Sequence, residues 1–201
     1  MSIRTVLHVG AGHPGIRNMP QAFYSDEWKE LRLDIDPATL PDIVGSMLDM
    51  SAVADQSVDA VFSSHNIEHV YAHEVPLVLN EFLRVLKPDG FLVVTCPDLQ
   101  SVAKLVAEDK LIDAAYMSGV GPITPLDILY GLRSDLAKGN HYMAHKCGFT
   151  LNVLLGTLQA QGFQTVVGIK RPATFDLWAV ASKKTLADAD ARDLAQGYLP
   201  A

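Results

Sequence analysis

The segment Ile3-Arg4-Thr5-Val6-Leu7-His8-Val9 runs without a break into Gly10-Ala11-Gly12-His13-Pro14-Gly15. A β-rich apolar run closed by G-x-G-x-x-G is the pattern of a first strand that turns sharply over a ligand. The glycines allow the tight turn and let a ligand approach the backbone. Residues 31–35 read as a second strand ending in Asp34-Ile35-Asp36-Pro37. A carboxylate about twenty residues after the glycines is placed to accept hydrogen bonds from both hydroxyls of a ribose. Without a ligand, the same residues make a plain strand-to-helix turn and an aspartate that caps the next segment.

With 201 residues the chain has room for one domain, and 49% hydrophobic content supplies its core. Further strands are predicted at residues 42–45, 58–63 and 91–95; the continuous apolar run at 58–63 suits a strand covered on both faces. Val75, Val78, Leu79, Phe82 and Leu86 recur at helical spacing and predict a helix over residues 74–86, stopped by Lys87-Pro88-Asp89-Gly90. Thr150 as a cap, Leu151, Leu154, Leu155 and Leu158 on one face, and Gly162 beyond predict another. Residues 164–169 and 175–181 are close enough to pair as a final hairpin. The fold class is α/β: a doubly wound, mostly parallel seven-stranded sheet with a C-terminal antiparallel hairpin strand. The domain is drawn at residues 1–184, with a helical lid inserted at about 98–149, and residues 185–201 form a frayed tail.

A formal charge of −7 argues against a nucleic-acid partner, and no apolar run is long enough to span a bilayer. The N-terminus lacks a signal-peptide layout, and Cys96 and Cys147 suggest no disulfide framework. A cytoplasmic setting and a small-molecule partner are expected, with a homodimer left open.

The residues after the glycines narrow the ligand. A dinucleotide needs a helix N-terminus there for its pyrophosphate, but His13-Pro14 and the next fifteen or so residues make a poor helix. Asp49, in Ser46-Met47-Leu48-Asp49-Met50 after the third strand, can accept from an exocyclic amine such as adenine N6, or act as a loop cap. These features point to a nucleoside-type ligand without phosphates.

In these segments the chain resembles the class I S-adenosylmethionine-dependent methyltransferases, on their small-molecule branch. Val6-Leu7-His8-Val9-Gly10-Ala11-Gly12 is similar to the glycine-rich first motif, Leu33-Asp34-Ile35-Asp36-Pro37 to the second-strand acidic motif, and Leu48-Asp49-Met50 to the adenine-contacting segment. Residues 57–70 resemble the fourth motif, residues 81–94 the fifth-strand signature, and Gln161-Gly162-Phe163 the entry to strand six. The resemblance implies S-adenosylmethionine as cofactor, held by His8, Gly10, Ala11, Gly12, Asp34, Ile35, Asp49, Met50, Ser64 and His65. His8 departs from the acidic residue usual at its position, Pro14 from the usual third glycine, and the chain begins directly at its first strand.

His65, Glu68 and His69 share i, i+3, i+4 spacing after the fourth strand. They can supply a general base, a metal site, or a structural pair. Together with a later histidine they resemble the Glu-x-x-Glu-His arrangement of some metal-dependent methyltransferases; a divalent metal is weighed here, and no metal ligand is assigned. Glu68, His69 and His145 are the expected acceptor-side catalytic residues. Lys104, Lys110, Arg133, Lys138 and Lys146 are candidates to hold an anionic acceptor group, and the apolar content of the insertion suits either a lid core or a partly hydrophobic acceptor. The expected reaction is methyl transfer to an oxygen or nitrogen of a small molecule. The alternatives are an NAD(P)-dependent oxidoreductase and a non-catalytic binding protein that keeps the fold.

Overall fold

The computed structural model describes residues 3–15 and 17–200. Met1, Ser2 and Ala201, the ends of the expected domain and tail, lie outside them, as does Ile16. The strands are β1 (Arg4–Val9), β2 (Trp28–Asp34), β3 (Ile43–Val44), β4 (Val58–Ser64), β5 (Leu86–Pro97), β6 (Tyr116–Ser118), β7 (Gly121–Ile123), β8 (Thr165–Arg171) and β9 (Asp176–Ser182). The helices are α1 (Val75–Val85), α2 (Leu99–Ala107), α3 (Pro125–Tyr130), α4 (Arg133–Leu136), α5 (Leu151–Gln161) and α6 (Asp188–Tyr198).

Seven strands form one sheet in the order β3-β2-β1-β4-β5-β9-β8. The first five pair in parallel, and β9 runs antiparallel to both of its neighbours. This is the expected α/β architecture. The chain leaves β1 to one side for β2 and β3, then returns to its other side for β4. Such a reversal opens a crevice at the carboxyl ends of the strands, where open α/β sheets bind ligands.

Each face of the sheet buries its own cluster. On one, Leu7, Val9, Val61, Leu92 and Val94 pack under Val78, Leu79 and Phe82 of α1 and Leu154 and Leu158 of α5. Each of these fully buried side chains contributes roughly 1.5–3 kcal/mol by leaving water. On the other, Val6, Ala60, Phe62 and Val180 meet Phe23, Trp28 and Tyr198. The tail is the helix its Ala/Asp-rich composition predicts, but it is packed where fraying is expected: α6 places Tyr198 with its ring 4.6 Å from that of Phe91 and 4.7 Å from that of Phe23. One buried aromatic at its end anchors a helix that is otherwise rich in alanine and aspartate.

Several boundaries move. β2 starts at Trp28 because Lys29 and Glu30 alternate with it across a half-buried strand, a pattern that a search for apolar runs passes over. Leu86 leaves the helix for β5, and residues 87–90 become an irregularity in which Val58 faces Leu86 while Ala60 faces Phe91. The insertion is more than helical. It holds α2, α3 and α4 and a small β6–β7 hairpin, closed over its own core of Val102, Ile123 and Ile128. Its ends meet, since Asp98 bridges Phe149 and the Leu99 amide donates to the Phe149 carbonyl at 2.9 Å.

Candidate functional site

The glycine loop lies at the carboxyl end of β1. Gly10 and Gly12 take φ values of +71° and +62°. A Cβ on Gly10 would lie 2.6 Å from the Asn66 side-chain nitrogen, so both conformation and space require glycine there. The loop is clamped to the end of β2: the Gly12 amide donates to Asp34 Oδ2 at 2.8 Å, and the Asp36 amide donates to Oδ1 at 2.9 Å. The guanidinium of Arg32 adds bonds to the carbonyls of Gly12 and, at 3.0 Å, Leu40. Each carboxylate oxygen of Asp34 keeps a further acceptor position. Ala11 is buried, and Ile35 leaves an apolar face 42% exposed next to them.

The loop after β3 is also held from below. The Met50 amide donates to Glu81 Oε2 at 2.7 Å, and Arg84 donates to the Met50 and Val53 carbonyls at 2.8 Å each. Glu81 and Arg84 of the fifth-strand signature thus fix the Asp49–Met50 turn. Met50 is buried, whereas Asp49 is exposed and accepts from the Ser51 amide, which holds its carboxyl below the ordinary range. Among the described residues no α-helix stands between β1 and β2, so the glycine loop lacks a helix N-terminus aimed at a phosphate.

His8 is almost fully buried. Its Nδ1 meets Glu30 Oε1 at 2.7 Å, its ring packs 5.1 Å from that of Phe62, and its Nε2 is sealed from solvent without a hydrogen-bond partner. The carboxylate at this point of the fold therefore comes from the neighbouring strand.

At the end of β4 the Ser64 hydroxyl pairs with that of Thr95 at 3.0 Å. His65 follows in the left-handed region at φ +47°, with its amide donating to the Thr95 carbonyl at 3.0 Å. Its imidazole joins the acceptor-side cluster, with Nδ1 3.4 Å from Glu68 Oε1 and Nε2 3.8 Å from Asp176 Oδ2. Burial opposes its charge, but Asp176 and Glu68 outweigh that and push it up to about 9. Burial likewise works to raise Glu68, yet His65, with His69 and His145 adding to it, holds the carboxyl below the ordinary range. His145 is kept below the usual histidine value by burial, with Glu68 opposing.

His145 arrives from the far end of the insertion. Its amide donates to the Tyr130 carbonyl at 3.2 Å and its Nδ1 to the Ile128 carbonyl at 2.8 Å. The Lys146 amide donates to the Glu68 carbonyl at 2.7 Å, and His69 Nδ1 to that of Ala144 at 3.1 Å. Gly131, at φ +99°, permits this approach: a Cβ there would lie 2.1 Å from the Met143 carbonyl oxygen. The ligand atoms of Glu68, His69 and His145 come within 4.8 Å of one another. The three expected acceptor-side residues are thus brought together. Of the three, His145 lines a cleft of about 120 Å³, together with His65, Tyr116, Ile128, Met143 and Phe175, among others, while Glu68 is fully buried.

Two expectations change. Arg133 is locked on Asp127 at 2.7 Å, Lys110 on Glu108 at 2.7 Å and Lys138 on Asp135 at 3.2 Å, and Lys146 lies over the Tyr71 ring. Their charges are spent locally instead of converging on an acceptor. Much of the apolar content of the insertion forms its own core, while Tyr116, Ile123 and Ile128 also face the cleft. Asp176 and Glu30 escaped the sequence reading. Asp176 accepts from Arg171 Nε at 2.9 Å, Thr174 Oγ1 at 2.8 Å and Trp178 Nε1 at 3.1 Å; burial works against its charge, but His65 and these donors hold it well below the carboxylate range. Its only sequence signal is an acidic residue opening an apolar strand.

Residues 7–94 match the family described as the methyltransferase domain. No curated protein matches the chain. Among solved structures, the chain is similar to a S-adenosylmethionine-dependent methyltransferase from Archaeoglobus fulgidus, at 15% identity and a TM-score of 0.58, over 90% of this chain and 86% of that one. It is similar to a Thermotoga maritima methyltransferase described as a possible histamine N-methyltransferase, at 15% identity and a TM-score of 0.55, over 90% and 82%. A third is the 1,6-didemethyltoxoflavin-N1-methyltransferase of Burkholderia thailandensis, with its acceptor and S-adenosylhomocysteine bound: 15% identity, a TM-score of 0.56, over 92% and 72%. At such identities these likenesses show the fold.

Proposed function

We propose that the chain, whose residues 7–94 match the methyltransferase domain, is an S-adenosylmethionine-dependent methyltransferase that transfers the cofactor's methyl group to an oxygen or nitrogen of a small-molecule acceptor. The observation that carries this reading is the Asp34 clamp: a carboxylate with free acceptor positions beside a glycine loop after which, among the described residues, no α-helix stands before β2. That suits a ribose and disfavours a pyrophosphate. In this reading Gly10, Ala11 and Gly12 pass beneath the cofactor, Asp34 takes the ribose hydroxyls, Ile35 and Met50 flank the adenine and Asp49 accepts from its amine. Ser64 and His65 border the methionyl end, and His8 supports it from beneath with Glu30.

Methyl transfer is an in-line displacement: the acceptor's electron pair forms the new bond as the carbon–sulfur bond breaks, leaving a neutral thioether. Alignment and exclusion of water supply most of the rate. Glu68, His69 and His145 stand on the acceptor side, position the acceptor atom and draw off its proton. The cleft of about 120 Å³ beside them, open to solvent, suits a small acceptor group. The Burkholderia enzyme, which holds 1,6-didemethyltoxoflavin, supports a small-molecule acceptor. Two unpaired cysteines fit a reducing cytoplasm, and among the described residues no helix is long and apolar enough to cross a membrane. Calorimetry with S-adenosylhomocysteine and with NADH tests the reading. Binding of the first alone is expected; binding of NADH alone would favour an oxidoreductase, and binding of neither a different ligand.

A further inference from the structure

Glu68 is an exception in this molecule. It is 0% exposed, and neither of its carboxylate oxygens has a hydrogen-bond partner. The buried carboxylates of Asp34, Asp98, Asp127 and Asp176 all accept from identified donors. A buried carboxylate without a donor costs free energy and calls for a physical reason. What surrounds it is a set of imidazoles: His65 on one side, His69 and His145 on the other.

The two histidines of that second group are prepared in the same way. Each gives Nδ1 to a backbone carbonyl, His69 to Ala144 at 3.1 Å and His145 to Ile128 at 2.8 Å. Such a bond places the ring proton on Nδ1 and leaves Nε2 with a lone pair, the arrangement that orients imidazoles toward a metal. In that neutral tautomer His69 Nε2 faces the His65 carbonyl oxygen at 3.1 Å as one acceptor against another, whereas an imidazolium would donate to it. A cation beside them satisfies both, together with the carboxylate of Glu68.

We propose that Glu68, His69 and His145 bind one divalent transition-metal ion, zinc being the type, beside the acceptor cleft. Two imidazoles and one carboxylate suit zinc, cobalt or manganese better than magnesium or calcium, which favour oxygen ligands. Three protein ligands with a further position open is the pattern of zinc sites that act on a bound group. Bonds of about 2.0–2.2 Å set tetrahedral donors about 3.4 Å apart. The trio, within 4.8 Å, reaches that by side-chain shifts of about an ångström. His65 keeps its second carboxylate, Asp176, when the ion replaces it as the counter-charge of Glu68. The role of the ion rests on the methyltransferase reading: an acceptor hydroxyl in the open position is polarised and gives up its proton to water in the cleft, the trio that would otherwise take it being occupied by the ion.

The test uses the full chain without a histidine tag, stripped with a chelator and titrated with Co²⁺. The expected result is a saturable visible absorption band with one equivalent bound, displaced by Zn²⁺. Glu68→Gln and His145→Ala should each weaken binding more than about 100-fold, beyond what outer-shell changes cause. His73→Ala, at a surface histidine, should leave it unchanged. A wild-type protein with no saturable one-to-one band overturns the proposal, as does a band that survives in the Glu68→Gln, His145→Ala double variant. S-adenosylhomocysteine calorimetry on the same samples reports folding and separates the two readings. Nucleoside binding without the cobalt site sinks only the metal, and a cobalt site without nucleoside binding sinks only the methyltransferase reading.

Discussion

Asp34→Ala isolates the residue on which the cofactor assignment depends. In the structure its carboxylate accepts from the Gly12 amide at 2.8 Å and the Asp36 amide at 2.9 Å, and the proposed ribose would use the remaining acceptor positions. A hydrogen bond to a charged group contributes about 1.5–3 kcal/mol, so losing the ribose contact should weaken S-adenosylhomocysteine about 10- to 150-fold. The substitution also releases the glycine loop. Water can replace the acceptor at Gly12, so the cost to the fold should be about 1–2 kcal/mol, a fall in Tm of roughly 2–8 °C. Calorimetry measures the first effect and thermal unfolding without ligand the second. Asp36→Ala is the control, because Asp36 caps the following turn through the Ala38 amide at 2.9 Å. Affinity for S-adenosylhomocysteine within twofold of wild type in Asp34→Ala would remove Asp34 from the ribose role. A loss of affinity equal in both variants would assign the effect to loop stability.

Glu68→Met removes a buried carboxylate without a donor. Because His65 then loses its counter-charge at 3.4 Å, chelator-treated protein should show a lower Tm, by roughly 5 °C or more, along with abolished turnover, and an unchanged or higher Tm would contradict the pairing. Gly131→Ala should speed limited proteolysis within residues 131–145 and weaken cobalt binding, with S-adenosylhomocysteine affinity unchanged; wild-type cleavage would show that Met143 does not need the space. For Asp127, burial opposes ionisation but Arg133 and Thr124 prevail and hold its carboxyl well below the ordinary range. Its contribution is therefore complete above the unfolded value of about 3.9 and fades as pH falls below it. Urea unfolding should show wild type more stable than Asp127→Asn at pH 7, with the gap narrowing as pH drops from about 5 toward 2; a constant gap would refute the linkage.

The half proposed to hold the cofactor was legible because its signals are local. Strands β1 and β4 are apolar runs, the glycines follow β1, Asp34 ends β2, and α1 repeats its apolar positions at helical spacing. The acceptor half depends on contacts between distant segments. Glu68 and His69 could be read as candidates from spacing, but only the fold brings His145 to them through the bonds of Ala144 and Lys146. Asp176 enters from the closing hairpin, and nothing near it in sequence announces His65 as its partner. Strands of three residues, such as β6 and β7, and a helix of four, such as α4, are too short for periodicity to register. Lys110 and Lys138 each pair with a local carboxylate that composition does not reveal.

The meeting of Asp98 with Phe149 makes the insertion a pendant loop, which leaves and rejoins the sheet at one point. The chain entropy of such a loop grows only with the logarithm of its length, so that doubling it costs about 0.6 kcal/mol. The segment between those residues is therefore a cassette, open to lengthening, shortening or grafting while the cofactor half folds as before. One geometric condition travels with any replacement: its last few residues must still run beside Ile67 and Glu68 and deliver an imidazole there.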